Sequence, residues 1–226
     1  MAVVGGGVDR IMFRDRTDAG RRLAQLLLPF KHRQPLILAL PRGGVPVAVE
    51  VARALEAPLD LLMVRKIGAP GHSELAIGAV LDGLDPDVFI DHAMVGALHV
   101  PESYIEAEIA RQRHQIERQQ LLYATGRPRS DARNRTVILV DDGVATGATV
   151  RVALRGLRQA GAQYTIVAAP VAPADTAQSL KEECDETVFV ATPDDFGAVS
   201  MYYEDFSEVT DADVIRLLGQ MPAPIS

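Results

Sequence analysis

Two adjacent carboxylates, Asp141 and Asp142, end a run of β-formers at 137–140. A loop of small residues and threonines follows, Ala145-Thr146-Gly147-Ala148-Thr149, and a helix-compatible segment begins at Val150. A continuous apolar run of this length reads as a parallel strand buried on both faces, and ligands gather at the carboxyl ends of such strands. The first backbone N–H groups of a helix have no partner within it. Together with the positive end of the helix dipole they favour a phosphate. Carboxylates just ahead of such a loop are placed to meet sugar hydroxyls or a metal ion. An anion cradle beside a grip for a diol or Mg2+ is the chemistry of a phosphorylated sugar. Acids at the end of a buried strand are costly without a partner, which argues against an incidental turn.

Two further places carry the cations such a ligand needs. Pro41-Arg42-Gly43-Gly44 follows a short apolar run at 36–40. Its paired glycines let backbone amides approach a ligand closely, and Arg42 adds charge. Arg65 and Lys66 close a second run at 59–64. Residues 67–74 then read as a loop whose Gly68, Pro70 and Gly71 provide the hinges of a lid. His72 and Glu74 in that loop are candidates for a general base, although a lone loop histidine is more often simply solvated.

The elements that must position these residues alternate in type. A helix is expected over 17–30, capped by Thr17 or Asp18, with Leu23, Leu26, Leu27 and Phe30 on one face. The run at 36–40, a helix through Val47, Val51 and Leu55, and the run at 59–64 form a βαβ unit. Short strand pieces at 76–81 and 88–90 are separated by turn signals at Asp82-Gly83 and Asp85-Pro86. Pro101 suits the first turn of a long helix ending at Tyr123. Its apolar positions Ile105, Ile109, Ile116 and Leu122 are sparse, so it reads as a lid, a dimer contact or a solvated helix. Residues 126–135, with four arginines, form a connector. Strands at 136–141, 164–169 and 187–191 then alternate with helices at 147–160 and 174–183. The fold class is α/β, a parallel twisted sheet with helices on both faces. An aromatic and acidic tail leads to a short helix near Thr210 or Asp211.

Composition narrows the classes. The chain has 226 residues, 48% hydrophobic and 23% charged, which suits one domain with an elaboration. A net charge of −7 disfavours a partner that is nucleic acid. It also means that a polyanionic ligand must be held by local devices. No apolar run reaches the ~20 residues of a membrane span, and the first ten residues lack the layout of a signal peptide. The single Cys184 fits a reducing cytoplasm.

The segment 136–149 resembles the 5-phosphoribosyl 1-diphosphate (PRPP) signature of type I phosphoribosyltransferases: four apolar residues, two acids, two mostly apolar positions, then a small-Thr-Gly-x-Thr loop. One position departs, since the pattern prefers an aliphatic residue after the acid pair and here it is Gly143. The resemblance implies one phosphoribosyltransferase-like domain over 1–226, with a core at about 17–200 and a small hood or lid from about 92–125 and 196–226. It implies Mg2+-dependent transfer of the 5-phosphoribosyl group from PRPP to a nitrogenous base or related acceptor, with release of pyrophosphate. Ala145, Thr146, Gly147, Ala148 and Thr149 would bind the 5-phosphate. Asp141 and Asp142 would hold the ribose hydroxyls, partly through Mg2+. Arg42, Gly43 and Gly44 would hold pyrophosphate, with a cis peptide at Pro41–Arg42. Arg65 and Lys66 are similar to the basic start of the mobile loop in orotate-type members and join the catalytic set.

Phe196, in Pro193-Asp194-Asp195-Phe196, resembles the position at which purine-type members stack a ring on the base; a core role is the other reading. Tyr203 stands where the family has an acid, and Ala145 stands where hypoxanthine-type members have their acid/base Asp. Adenine-type members also have Ala there, so the acceptor is open and no general base is identified. The alternative function is a non-catalytic PRPP or nucleotide sensor that kept the donor site. Membership would also imply a cytoplasmic homo-oligomer, in the simplest case a dimer, with PRPP and a small base as partners.

Overall fold

A computed structural model describes residues 12–82, 88–123 and 130–222, without the side chains of Ser73 and Glu74. The Gly-rich start, the turn signals at 83–87 and Arg127 and Arg129 of the connector lie outside the described residues.

The chain enters through α1 (Arg16–Leu27), followed by a 3-10 turn. The cap of α1 is Asp15, which accepts from the Asp18 N–H at 2.7 Å, and neither Thr17 nor Asp18 caps it. A carboxylate one residue ahead of the first turn reaches the orphan N–H groups better than one inside that turn. The helix buries Leu23, Ala24 and Leu27 and leaves Leu26 exposed, which corrects the expected apolar face.

Then come β1 (Leu36–Ala39), α2 (Gly44–Leu55) and β2 (Leu59–Leu61), with β1 and β2 paired in parallel. The expected strand at 59–64 is in fact two. It breaks at Leu62, whose N–H reaches Ala39 O at 3.0 Å, and the chain leaves the parallel sheet as β3 (Met63–Ala69). β3 and β4 (His72–Asp82) form an antiparallel hairpin, and β5 (Val88–Ile90) pairs with β4. Residues 67–74 are therefore hairpin, not a loop. Gly71 takes a positive φ of 74° at its turn, so the Gly/Pro signal marks a tight reversal and not an irregular segment.

A short helix that the sequence pattern does not announce, α3 (His92–Ala97), leads to α4 (Glu102–Tyr123). α4 packs on β3 and β4 through a seam of Glu108, Gln112, Ile116 and Tyr123. Leu122 is exposed, contrary to expectation, because a seam with i, i+4, i+8 spacing from Glu108 passes it by.

The remaining elements follow the expected alternation: β6 (Thr136–Val140), α5 (Ala148–Gln159), β7 (Tyr164–Val171), α6 (Ala174–Leu180), β8 (Glu186–Ala191) and α7 (Asp211–Gly219). Five parallel strands form the main sheet in the order β2-β1-β6-β7-β8. Its central strands are buried along nearly their whole length, which is why they read as unbroken apolar runs. Alternate residues feed two cores. Ile37, Ala39, Ile138, Val140, Ile166 and Ala168 pack with α1 and α2 on one face. Leu36, Leu38, Val137, Leu139, Val167 and Ala169 pack with α5 and α6 on the other. A small third cluster joins Phe13 to Tyr202 and Tyr203 of the segment before α7. No helix among the described residues is long and apolar enough to cross a membrane.

Candidate functional site

The strand order places the site. β1 and β6 are neighbours, with Ala39 opposite Val140, yet α2 and α5 that follow them pack on opposite faces. The sheet changes winding direction between these two strands, and the loops leaving them must open a crevice. The 41–44 turn and the 141–149 segment are its two lips. A Cβ on Gly43 would sit 2.1 Å from Asp142 Oδ2, and one on Gly44 would sit 2.7 Å from Val140 O. The paired glycines therefore bring the turn against the acids. The Pro41–Arg42 peptide is cis, as expected.

Asp141 and Asp142 are partly exposed at the crevice floor. Asp142 N donates to Asp141 Oδ1 at 2.8 Å. Burial, and next the charge of Asp142, pushes the Asp141 carboxyl well above the ordinary carboxylate range. Burial raises Asp142 too, although Arg16 opposes the rise. Arg16 Nε donates to Asp142 Oδ2 at 2.7 Å, and its guanidinium also reaches Ser207 O at 2.7 Å and lies 3.8 Å from the Phe206 ring centroid. Tyr203 donates its hydroxyl to Asp142 O at 2.5 Å. One guanidinium is thus bonded to Asp142, and its charge also opposes the rise at Asp141.

The 145–149 loop is built before any ligand arrives. Gly147 holds a φ of +74° at the N-cap of α5, a conformation in which an L side chain is strained. Arg151, one turn into α5, donates to Thr146 O at 2.8 Å and to Glu183 Oε1 at 2.5 Å, and also bonds Ser179 Oγ. Thr176 Oγ1 donates to Ala145 O at 3.0 Å. These ties hold the Thr146 carbonyl on Arg151 of α5 and the Ala145 carbonyl on Thr176 of α6.

The expected cations fall in three settings. Arg42 pairs with Glu208 and lies 3.8 Å from Asp211. Arg65 lies in β3, past the break at Leu62, and donates to Gln119 Oε1 at 2.9 Å. With Pro41, Arg42 and Asp211 it lines a cavity of about 330 Å³. Lys66 follows it on the same strand, where successive side chains leave opposite faces, and both residues line a further cavity. This cavity, of about 560 Å³ between the hairpin and α4, is shared with Thr149, His72, Glu108 and Arg111. Phe196 stacks on Tyr202 with centroids 5.6 Å apart. It also lines a cavity of about 640 Å³ with Ala145, Thr146, Asp175 and Asp194. The Glu74 side chain is outside the described residues.

A family model, the phosphoribosyl transferase domain, matches residues 16–206. The chain belongs to this family. Two Mycobacterium tuberculosis proteins, from strains H37Rv and CDC 1551, each named "Putative phosphoribosyl transferase", are 40% identical over 209 residues. That alignment covers 92% of this chain and 47% of theirs, so the chain spans about half the length of the curated relatives it matches. Among solved structures, TT1426 from Thermus thermophilus is 44% identical and covers 93% of this chain and 99% of its own, with a TM-score of 0.84.

Membership in the phosphoribosyl transferase family makes the departure at Gly143 informative. A Cβ there would sit 2.4 Å from Val199 Cγ1 and 2.8 Å from Cγ2. The isopropyl group of Val199, in a 3-10 turn at Val199–Tyr202, occupies the space an aliphatic residue at 143 would claim. Gly143→Val is accordingly expected to destabilise by about 1–3 kcal/mol through overpacking. Adding Val199→Ala should restore part of that loss, and a thermal double-mutant cycle measures the coupling. Additive effects would refute the exchange.

Arg16, Arg151 and Tyr203 complete the site beyond the residues expected for it. Arg16 has no motif to announce it, since its partner lies 126 positions away. Arg151 has a weak signal: a cation one turn after Gly147 opposes the helix dipole and asks for a local partner.

Proposed function

We propose that the chain binds PRPP and transfers its 5-phosphoribosyl group to a nitrogenous base or related acceptor, releasing pyrophosphate. The observation that carries this reading is the crevice itself: an acid pair pressed between the two glycines of the 41–44 turn and the ordered N-terminus of α5. The 5-phosphate takes N–H groups of 145–149 and the Thr146 and Thr149 hydroxyls, replacing the 3.4 Å contact from Ala148 N to Thr146 Oγ1. The ribose hydroxyls meet Asp141 and Asp142. Arg42, the Gly43 amide, Arg65 and Lys66 surround the diphosphate, while Gly44, whose N–H donates to Leu40 O at 3.0 Å, gives the turn its close approach.

Among the described residues no group of three or more His, Cys, Asp or Glu could hold a metal alone. Two carboxylates with a phosphorylated ligand do suit Mg2+, which keeps several waters and takes few protein ligands. Asp141 and Asp142 would hold it, and it would neutralise charge on the leaving diphosphate. The bond from C1 to the diphosphate oxygen breaks, the bond from C1 to the acceptor nitrogen forms, and the acceptor's proton goes to a base not yet assigned. Positive charge builds on the ribose ring as the leaving group departs. The chain's own work is to fix the two ends of the donor, place the acid pair beneath the ring and keep water out. The cavity at Phe196 adjoins the phosphate loop and is the place proposed for the acceptor ring.

The test has two steps. Calorimetry with PRPP and Mg2+ should show saturable binding. Incubation with PRPP and a panel of purines, pyrimidines and orotate should release pyrophosphate with at least one of them. Binding without acceptor-dependent release across the panel would replace the transferase by a PRPP sensor, and absence of binding would remove both.

A further inference from the structure

The segment before α7 crosses the crevice and touches it at both of the positions that a magnesium diphosphate would occupy. Residues 204–213 carry five acids and no base. One end of this strap is fixed to the N-terminal segment, where Glu204 N donates to Phe13 O at 2.8 Å and Asp205 N to Arg14 O at 2.9 Å. The other end is fixed by α7, whose Asp211 accepts the Tyr123 hydroxyl at 2.6 Å. Between these anchors Glu208 places its carboxylate on the guanidinium of Arg42. Arg16 reaches from beneath the strap, with Ser207 O on one nitrogen and Asp142 on another. Arg16, Arg42, Asp142 and Glu208 line one cavity of about 600 Å³.

The pairing is that of a ligand. An anion sits on the cation of the 41–44 turn, and a cation sits on the outer carboxylate of the acid pair. We infer that the 205–211 strap and the Arg16 side chain held beneath it are together an internal stand-in for a divalent-cation diphosphate, with Glu208 in the place of the diphosphate and Arg16 in the place of the metal. The inference rests on the donor reading given above. Donor entry then exchanges two contacts: diphosphate oxygens take Arg42 from Glu208, and the cation takes Asp142 from Arg16.

The two contacts differ in strength. The Arg42 and Glu208 side chains are 38% and 74% exposed, and ion pairs this open hold weakly. Those of Arg16 and Asp142 are 11% and 14% exposed, so this contact yields only to a cation that replaces it. The strap therefore acts as a filter that favours a diphosphate arriving with its metal.

The experiment uses magnesium pyrophosphate as the probe, in low salt, with calorimetry on the wild type, Glu208→Gln and Glu204→Gln. Glu204 is an exposed acid of the same strap, and its replacement makes the same change in charge. Glu208→Gln should bind about three- to tenfold more tightly than the wild type, and Glu204→Gln should stay close to it. Equal or weaker binding by Glu208→Gln overturns the strap while leaving the donor site standing, and so does equal tightening by Glu204→Gln. Absence of binding by all three proteins overturns the donor reading and the strap with it. A second readout is amide hydrogen exchange in the wild type, which should quicken across 205–211 when magnesium pyrophosphate saturates the protein. Slower exchange there would mean that the strap closes on the ligand, and would overturn displacement.

Discussion

Asp141→Asn is expected to raise the melting temperature of the free protein near neutral pH while weakening PRPP binding at least about thirtyfold. The first effect follows from the direction of the Asp141 shift. Burial and the Asp142 charge raise its carboxyl above the ordinary range. A group whose pKa is higher folded than unfolded favours the folded state below the unfolded value, and that contribution is lost as pH climbs through the folded value. Near neutrality the wild type has therefore given up stability that an uncharged amide never forfeits. Asparagine keeps an oxygen to accept the Asp142 N–H, so no hydrogen bond need be lost. The gap in melting temperature should widen as pH rises from about 4 toward 8 and close in the acid range.

The second effect follows from the proposed donor site. Removing one member of a desolvated charged contact costs about 2–5 kcal/mol, or a factor of about thirty and upward. With Asp142→Asn added, PRPP binding in the presence of Mg2+ should vanish. Scanning calorimetry across pH and titration with PRPP check the two halves. Unchanged affinity in the double variant would sink the assignment of the acid pair.

Gly44→Ala should unsettle both the fold and the site, because its Cβ would meet main chain. The nearest atoms are Val140 O at 2.7 Å and Asp141 Cα at 2.9 Å, neither of which can swing aside. Overpacking of about 1–3 kcal/mol corresponds to a fall of roughly 2–12 °C for a chain of this size. Any relief must part the ends of β1 and β6, and a displacement near 1 Å at such a site costs about a hundredfold in rate. Gly43→Ala makes an instructive contrast. Its Cβ would meet the Asp142 carboxylate, the end of a side chain that can turn with the flexible Arg16 side chain following it. It should weaken PRPP binding with little change in melting temperature. If Gly43→Ala proved the more destabilising of the two, the account of which glycine spaces the backbone would be wrong.

The parts of the fold that are legible in the sequence are those in which one physical cause dominates. β1, β6 and β7 are covered on both faces, so burial alone writes their apolar runs, and the loops after them advertise the ligand's chemistry. The hairpin of β3 and β4 is not legible in this way, because Gly68, Pro70 and Gly71 signal a break without saying whether the chain loops or reverses. The pairing of β3 is also irregular there, with register shifts beside Gly68. α4 hides its seam because Glu108 and Gln112 are buried as partners of one another and not as apolar residues. Arg16 and Glu208 are invisible for a different reason. Each is defined by a partner more than a hundred positions away, and no local pattern encodes such a pair.

The break at Leu62 has a mechanical consequence. Leu62 is fully buried and bonded to β1, while the hairpin beyond it belongs to the other sheet. At about 3.3 Å per residue, Arg65 stands about 10 Å from this pivot, and the turn at Gly71 about 30 Å. A tilt of the hairpin about Leu62 would therefore sweep its tip roughly three times as far as Arg65. α4 would travel with it, since the Tyr104 hydroxyl is tied to Gly68 O at 3.1 Å. The geometry is that of a lever whose short arm bears the cation. Such a tilt would move the Arg65 charge about a third as far as the hairpin tip.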